Sequence, residues 1–421
     1  GRCDGCQQSN HVQERPQPAQ TPIIPLVRRS EGGHSGVVWH TPVHRKRSSE
    51  GQFFAGIDGG SRGTKFALIC STASRPEIIA AGSVDTAGDA LGACRQALSN
   101  LRAALPDGAS LQGIATTGSA GELFRDMITT RRKNTTDERP TEILAHYVWA
   151  SHWMPAVATV IDIGGNDAKL IAVRRSGLDF VMNDKCAAGT GAFLEAIARR
   201  FSVPIADYAQ IALQSGHPAR IAGRCAVFGE SDIVHKARLG FARSDLFLGL
   251  AFAVCRTYLA DVGRGMLRLP IVAQGGAFLN KAVQHAFRET LELTDDEFIV
   301  SDDPDYVLCA GALGAALIAC NRWEQGYESH FKGFEHVTNS EYLTTTTVCT
   351  SETCSRSCEE VVVLLENGVP IAGYKAIDCP YGFFSGMFTN ARQRRHASEL
   401  LARELSQQSV EGCRDWRLSS G

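Results

Sequence analysis

The chain has 421 residues, of which 44% are apolar and 21% charged, and its formal net charge is −2. That length has room for two or three packed domains with a sizeable core, in the proportions of an ordinary globular protein. A charge so near zero points to neither a nucleic acid nor an anionic membrane as a partner.

The longest apolar stretch, Leu246 to Cys255, is shorter than a bilayer requires. No apolar run follows the basic residues near the start, so no signal peptide is expected and the cytoplasm is the expected compartment. Fourteen cysteines are then not expected to form a disulfide framework, and metal or redox work becomes the better reading for some of them. Cys70, Cys94, Cys255, Cys309 and Cys320 lie inside apolar runs and are expected as small core residues.

In chain order, residues 1–51 are rich in Gln, Pro, Ser, His and Arg and are read as a disordered leader or an expression remnant. Its Cys3/Cys6 pair has no second ligand pair beside it. Phe53, Phe54 and Ile57 then form a strand that runs into a glycine turn, and Lys65 to Cys70 returns. Further strands are expected at Gln112–Ala115, Val157–Ile163, Lys169–Val173 and Ile271–Ala273. Helical spacing joins Phe193, Ile197 and Phe201, and again Leu246, Leu250 and Val254. A small-residue helix is expected from Tyr306 to Ala319. Strands interleaved with helices mean an α/β fold. After about Asn321 polar runs such as Thr344–Thr347 precede a cysteine cluster and a short strand-like run, Val361 to Leu365. The expected division is a first lobe over 52–150, a second over 151–325 and a cysteine-containing segment over 326–421.

The most informative feature is an internal repeat. Asp58-Gly59-Gly60-Ser61-Arg62-Gly63-Thr64-Lys65 resembles Asp162-Ile163-Gly164-Gly165-Asn166-Asp167-Ala168-Lys169, 104 residues on. In each an Asp ends an apolar strand, a Gly follows two positions later, and a Lys seven positions after the Asp opens the next strand. The glycine-rich turn of such a hairpin exposes backbone N–H groups that form an anion site. The Asp can hold Mg²⁺, while Ser, Thr and Lys side chains add contacts to phosphate. Neither loop is a Walker A loop, since no G-x-x-x-x-G-K-[ST] leads into a helix. The duplication implies two like-folded lobes facing each other across a nucleotide cleft.

These loops resemble the first and second phosphate motifs of the actin, hexokinase and heat-shock ATPase superfamily, which implies a two-lobed, ribonuclease H-like α/β fold. Gln274-Gly275-Gly276-Ala277-Phe278-Leu279-Asn280 looks like its adenosine motif, and Thr117-Gly118-Ser119-Ala120-Gly121 stands where the superfamily has a connecting Thr-Gly loop. Two further segments, Met182 to Gly191 around Cys186 and Cys225 to Val234, closely resemble the cluster-bearing stretches of the BadF/BadG/BcrA/BcrD-type activator ATPases of 2-hydroxyacyl-CoA dehydratases and benzoyl-CoA reductases. The likeness covers the core from about 53 to 320. Where that family usually has Gln in the second loop this chain has Asn166.

The resemblance implies ATP-gated electron transfer. Asp58, Asp162 and Asn166 would take catalytic roles, Asp162 near Mg²⁺ or the attacking water. Gly59, Gly60, Ser61, Thr64 and Lys65 would serve the first phosphate site, and Gly164, Gly165, Asp167 and Lys169 the second. Gly275, Gly276 and Asn280 would meet the nucleoside. A [4Fe–4S] cluster takes four thiolates, so Cys186 and Cys225 imply a homodimer that shares one cluster. The implied partners are a dehydratase or reductase iron–sulfur protein and a low-potential donor such as ferredoxin or flavodoxin. Glu142 and His146 resemble a family helix near the nucleotide, although a polar i, i+4 pair commonly just lines a helix face. Cys349, Cys354, Cys358 and Cys379 have a spacing that could hold a second metal. They resemble a cysteine segment of longer fused relatives, which would make the chain a fragment or a short relative of one. Two other readings share the loops: a small-molecule kinase of the N-acetylglucosamine type, and a nucleotide-gated regulatory module without redox chemistry.

Overall fold

In the computed structural model, residues 51–72, 76–86, 88–130, 134–183, 189–222, 226–263, 265–339, 342–348, 359–365, 370–374, 386–387, 393, 395–397 and 399–400 are described. Two compact units divide the chain, Gly1–Gly121 with Lys133–His330, and Glu122–Arg132 with Phe331–Gly421.

The first unit holds two sheets. Strands β1 (Gln52–Gly59), β2 (Gly63–Ser71) and β3 (Pro76–Asp85) form an antiparallel meander; helix α1 (Ala90–Ala104) then crosses back to β4 (Leu111–Thr117), parallel to β1. The resulting order is β3-β2-β1-β4. Helix α2 (Gly121–Ile128) is next in the chain but belongs from Glu122 on to the second unit; in the first unit α3 (Glu142–Trp153), capped by the Thr141 side chain, leads to the second sheet. There β5 (Thr159–Ile163), β6 (Ala168–Arg174) and β7 (Gly177–Met182) repeat the meander. Four helices occupy the next connection: α4 (Gly191–Arg200), α5 (Ile205–Ala212), α6 (Ala226–Arg238) and α7 (Arg243–Tyr258). Strand β8 (Ile271–Gln274) then pairs parallel to β5, helix α8 (Lys281–Leu291) follows, and β9 (Phe298–Ile299) closes the order β7-β6-β5-β8-β9. The four helices α4–α7 therefore fill the topological slot that the single helix α1 fills in the first sheet, and both segments singled out for their cysteines lie in that expanded connection.

The small-residue helix expected from Tyr306 to Ala319 is in fact two. Asp303 caps a short α9 (Pro304–Leu308), Cys309 departs from helical geometry at φ −99° and ψ 17°, and α10 (Ala310–Glu324) begins afresh. Helix α10 packs so closely on its neighbours that Cβ atoms do not fit at the crossings. On Gly56 of β1 a Cβ would overlap the Ala312 carbonyl, and on Gly314 it would overlap the Ala145 carbonyl of α3. Helix α3 is anchored in turn by Trp149, whose indole N–H donates to the Tyr306 carbonyl at 2.9 Å.

Helix α7 continues through a π-helical turn, Leu259–Gly263. The continuous element Arg243–Gly263 has 21 residues and is long and apolar enough by composition to cross a membrane, which corrects the shorter apolar window read from the sequence. Its apolar window is 72% buried inside the protein, against the cores of α5 and α8, as a core helix would be. The cysteines at 70, 94, 255, 309 and 320 are all buried and in no disulfide, as their apolar settings implied.

In the second unit α11 (Phe334–Asn339) precedes β10 (Tyr342–Val348), β11 (Glu359–Leu365), β12 (Pro370–Tyr374) and β13 (Gly386–Met387), an antiparallel sheet in that order. Thr344–Thr347, read from the sequence as a polar run, lies in β10, as β-branched side chains favour. Residues 1–50, with Cys3 and Cys6, and Cys349, Cys354, Cys358 and Cys379 lie outside the described residues.

Replacing Gly56 by Ala should lower the thermal midpoint by several degrees, because overpacking at a backbone crossing costs about 1–3 kcal/mol. Gly216→Ala, where the added methyl meets open space, should leave it unchanged, and equal midpoints for the two variants would refute the close crossing.

Candidate functional site

The repeat is deeper than its two sequence motifs. Strand pairing sets Asp58 opposite Lys65 and Asp162 opposite Lys169. On the other side Asp58 pairs with Thr117 and Asp162 with Gln274, each at the end of the parallel strand. The next residue in each case is a glycine at positive φ, Gly118 at 81° and Gly275 at 90°. At both glycines a Cβ would run into Oδ1 of the neighbouring aspartate. Only glycine combines that backbone conformation with that closeness. The connecting Thr-Gly loop and the Gln-Gly-Gly motif are thus equivalent positions of one duplicated site.

The two hairpin tips meet. Asn166 Nδ2 donates to Ser61 Oγ at 3.0 Å, and an Arg62 guanidinium nitrogen lies 2.5 Å from Glu195 Oε2. The second loop is also joined to α4: Gly191 N–H donates to the Gly164 carbonyl at 3.0 Å, and Ala192 N–H to that of Gly165 at 2.9 Å.

Behind the tips lies a buried charge cluster. Lys169 Nζ is 2.6 Å from Glu142 Oε1 and 3.2 Å from Asp162 Oδ2, with the lysine only 2% exposed. Burial works against the ammonium, but Asp162 and Glu142 outweigh it and hold its pKa well above the ordinary lysine range. Burial likewise works against the Asp162 carboxylate, and His146 and Lys169 together reverse the effect, so its pKa lies below the usual value. His146 Nδ1–H donates to Gln274 Oε1 at 2.8 Å and is 3.8 Å from Asp162 Oδ1. On its other side, His146 Nε2 and Asp58 Oδ2 share the space left by the missing side chain of Gly311 in α10.

Asp58 is in the opposite state. Burial raises its pKa, and Lys65 offsets this only in part. Its Oδ1 is buried without a hydrogen-bond partner. The two equivalent aspartates are thus driven apart, one held ionised by a bound ammonium and the other left with an unsatisfied oxygen, the arrangement in which paired carboxylates take different roles. Glu142, His146 and Asp162 place one ligand atom each within 4.8 Å of one another, which by residue type could hold a metal. The Lys169 ammonium already lies between two of those carboxylates, so the unsatisfied Asp58 is the better place for a cation.

The remaining expected residues are divided. Ser61 and Asn166 are exposed at the tips, and Gly60, Gly164, Gly165, Asp167 and Lys65 are half-buried around them. Gly59 lies buried behind, its carbonyl accepting from Ala120 N–H and Ser119 Oγ. Thr64 is buried, with Oγ1 3.3 Å from Thr86 Oγ1. Lys169 faces carboxylates instead of the tips. Asn280 caps α8, its Oδ1 accepting from Ala282 N–H at 3.0 Å, and its Nδ2 is buried without a partner. Gly276 is exposed at the start of a 3₁₀ turn, Gly276–Leu279. Cys186 and Cys225 lie outside the described residues, and α6 begins at the residue after Cys225. Sequence reasoning placed Glu142 and His146 by resemblance on a helix near the nucleotide, but it passed over Gln274 as a partner of His146, and Arg62 and Glu195.

Residues 55–319 match the BadF/BadG/BcrA/BcrD ATPase family. The chain belongs to that family. It is 36% identical over 185 residues to the activator of lactoyl-CoA dehydratase of Anaerotignum propionicum, a stretch that is 44% of this chain and 69% of the relative. It is also 36% identical over 184 residues to the (R)-2-hydroxyglutaryl-CoA dehydratase activating ATPase of Acidaminococcus fermentans, covering 44% of this chain and 68% of that one. Among solved structures, component A of the A. fermentans (R)-2-hydroxyglutaryl-CoA dehydratase superposes with a TM-score of 0.55 at 28% identity, over 65% of this chain and 99% of the other. The activator of the 2-hydroxyisocaproyl-CoA dehydratase from Clostridium difficile, with bound ADPNP, gives 0.55 at 26%, over 65% and 97%. The two-lobed fold of the actin, hexokinase and heat-shock ATPases is therefore the fold of this family member.

The raised pKa of Asp58 has a consequence for stability. A carboxyl whose folded pKa exceeds its unfolded one stabilises the fold below the ordinary carboxylate range, and that contribution is lost as pH rises through the folded value. Asp58→Asn should therefore raise the melting temperature of the nucleotide-free protein near pH ~7, with the gain shrinking as pH approaches ~4. A gain that persists undiminished in acid would contradict burial of the carboxylate as its cause.

Proposed function

We propose that this chain is the ATP-hydrolysing activator component of a 2-hydroxyacyl-CoA dehydratase-type or benzoyl-CoA reductase-type enzyme, working in the cytoplasm as a homodimer. The observation that carries the reading is the pair of equivalent aspartates in opposite electrostatic states, at facing glycine hairpins, in a chain whose 36% identical relatives are dehydratase activators. The dehydratase-activator relatives support this reading over the sugar-kinase one.

ATP fits the hairpins, with its phosphates between the tips at Ser61 and Asn166 and against the backbone of Gly59, Gly60, Gly164 and Gly165. Lys65, whose Nζ lies 3.0 Å from the position of a Cβ on Gly60, sits under the first turn where phosphate charge would accumulate. The orphaned Asp58 Oδ1 suits Mg²⁺, directly or through a water of its shell. Asp162, kept ionised by His146 and Lys169, is the residue to orient the attacking water by accepting its hydrogen bond. Asn166 supplies the amide that holds that water, and Gly275, Gly276 and Asn280 border the nucleoside.

Four buried thiols are poor candidates for the ligands of a shared [4Fe–4S] cluster, and the family resemblance supplies the pair that would hold it. Burial pushes the Cys94, Cys255 and Cys320 thiols up to about 12, and Cys309 well above its ordinary value, so these stay protonated and inaccessible. Cys186 and Cys225 would be the ligands, two from each of two chains. When bound, such a cluster supplies a one-electron store, charged by a ferredoxin- or flavodoxin-type donor and discharged to the dehydratase or reductase. The chain's part is to hold the flanking helices: a Cβ on Gly229 of α6 would touch the Phe193 ring of α4, so the first turns of the two helices pack together.

Two measurements test this. Asp162→Asn should lower ATP turnover by roughly 10²-fold or more, the usual cost of a misplaced reactant; turnover within a factor of ~2 of wild type would remove its role. Cys186→Ala and Cys225→Ala, prepared and reconstituted without oxygen, should lose iron and sulfide while still binding ATP. Full iron content in either would break the ligand assignment.

A further inference from the structure

Arg62 stands at the tip of the first hairpin, yet its side chain serves the opposite lobe. Its stem lies across Gly165, where a Cβ would come within 2.5 Å of Arg62 Cδ, and its guanidinium ends on Glu195 in α4. Helix α4 is independently tied to the second hairpin by the Gly191 and Ala192 amides. One helix is thus held by both loops, through backbone hydrogen bonds from the near one and an ion pair from the far one. Thr86 secures the base of the lever: its N–H donates to the Arg62 carbonyl at 3.0 Å and its hydroxyl to that of Gly60 at 3.0 Å.

We propose that Arg62 and Glu195 form a brace that transmits the spacing of the two phosphate loops to α4, the helix that follows the Cys186 segment. They are positioning residues, and the proposal rests on reading the cleft as an ATP site. Any separation of the hairpins must either break the ion pair or draw the first turn of α4 away from Gly164 and Gly165. Both partners are over one-third exposed, at 38% and 39%. An exposed pair adds little to global stability. It is therefore easily released and remade in each turnover, as a coupling element needs to be and a structural staple does not.

Hydrogen exchange at the Gly191 and Ala192 amides, followed in the full chain with and without a non-hydrolysable ATP analogue, reads the brace directly. In wild type the analogue should slow exchange there. At saturating analogue, Arg62→Glu and Glu195→Arg should each lose at least about half of that slowing, and the double reversal Arg62→Glu/Glu195→Arg should regain it. Single variants that keep wild-type protection, or a double variant no better than the worse single, would overturn the brace alone. A wild-type chain that binds no analogue would instead overturn the ATP site, and the brace with it. If a reversal fails to fold, Arg62→Gln and Glu195→Gln remove the pair without creating repulsion and are read the same way.

Discussion

Burying the Lys169 ammonium between Glu142 and Asp162 imposes charge balance on three elements at once. The lysine comes from β6, Asp162 from β5 and Glu142 from the start of α3, so none can move without leaving a charge unpaired in a medium that solvates it poorly. His146, one turn further along α3, adds Gln274 of β8 to the same arrangement. Helix α3 is itself clamped by α10 through the Gly314 crossing and by Trp149 on the Tyr306 carbonyl. The position of the second aspartate is in this way set by helices that lie outside its own sheet.

Duplication supplied two hairpins of one design, and their differences carry the chemistry. Lys169 is sequestered by a carboxylate from α3. Lys65, at the equivalent position, stays half-buried under its own turn. Their neighbours account for the contrast: His146 and the hydrogen-bonded Lys169 outweigh burial and lower the Asp162 pKa, whereas burial, offset only in part by Lys65, raises that of Asp58. A symmetrical pair of sites has become a site with one aspartate held ionised and one whose buried Oδ1 has no hydrogen-bond partner.

The parts of this that the sequence displayed were those with short-range patterns. The repeat from Asp58 to Lys65 and from Asp162 to Lys169 is visible because a strand, a glycine turn and a returning strand fit in eight residues. Equivalence between Gly118 and Gly275 was hidden, since it depends on parallel partners 60 and 113 positions from their aspartates (118 − 58; 275 − 162), and only the pairing brings them together. Strand β3 carries buried Ile78 and Ile79, but its small and polar remainder blurs the alternation that marks a half-buried strand. Resemblance put Glu142 and His146 near the nucleotide, but their spacing alone is that of any polar helix face, because the lysine and glutamine they bind are 27 and 128 residues away (169 − 142; 274 − 146). The break at Cys309 was masked by a run of residues all compatible with a continuous helix.

The bonds from α4 to the second hairpin also decide which way that hairpin faces. A peptide unit is planar and trans, so its C=O and the following N–H point in opposite directions. With the carbonyls of Gly164 and Gly165 turned toward the first turn of α4, the N–H groups of Gly165 and Asn166 must be directed away from it. A helix end that looks merely attached to the loop therefore acts as a rudder for two donor dipoles, and the polarity of the turn is inherited from its neighbour instead of from its own glycines.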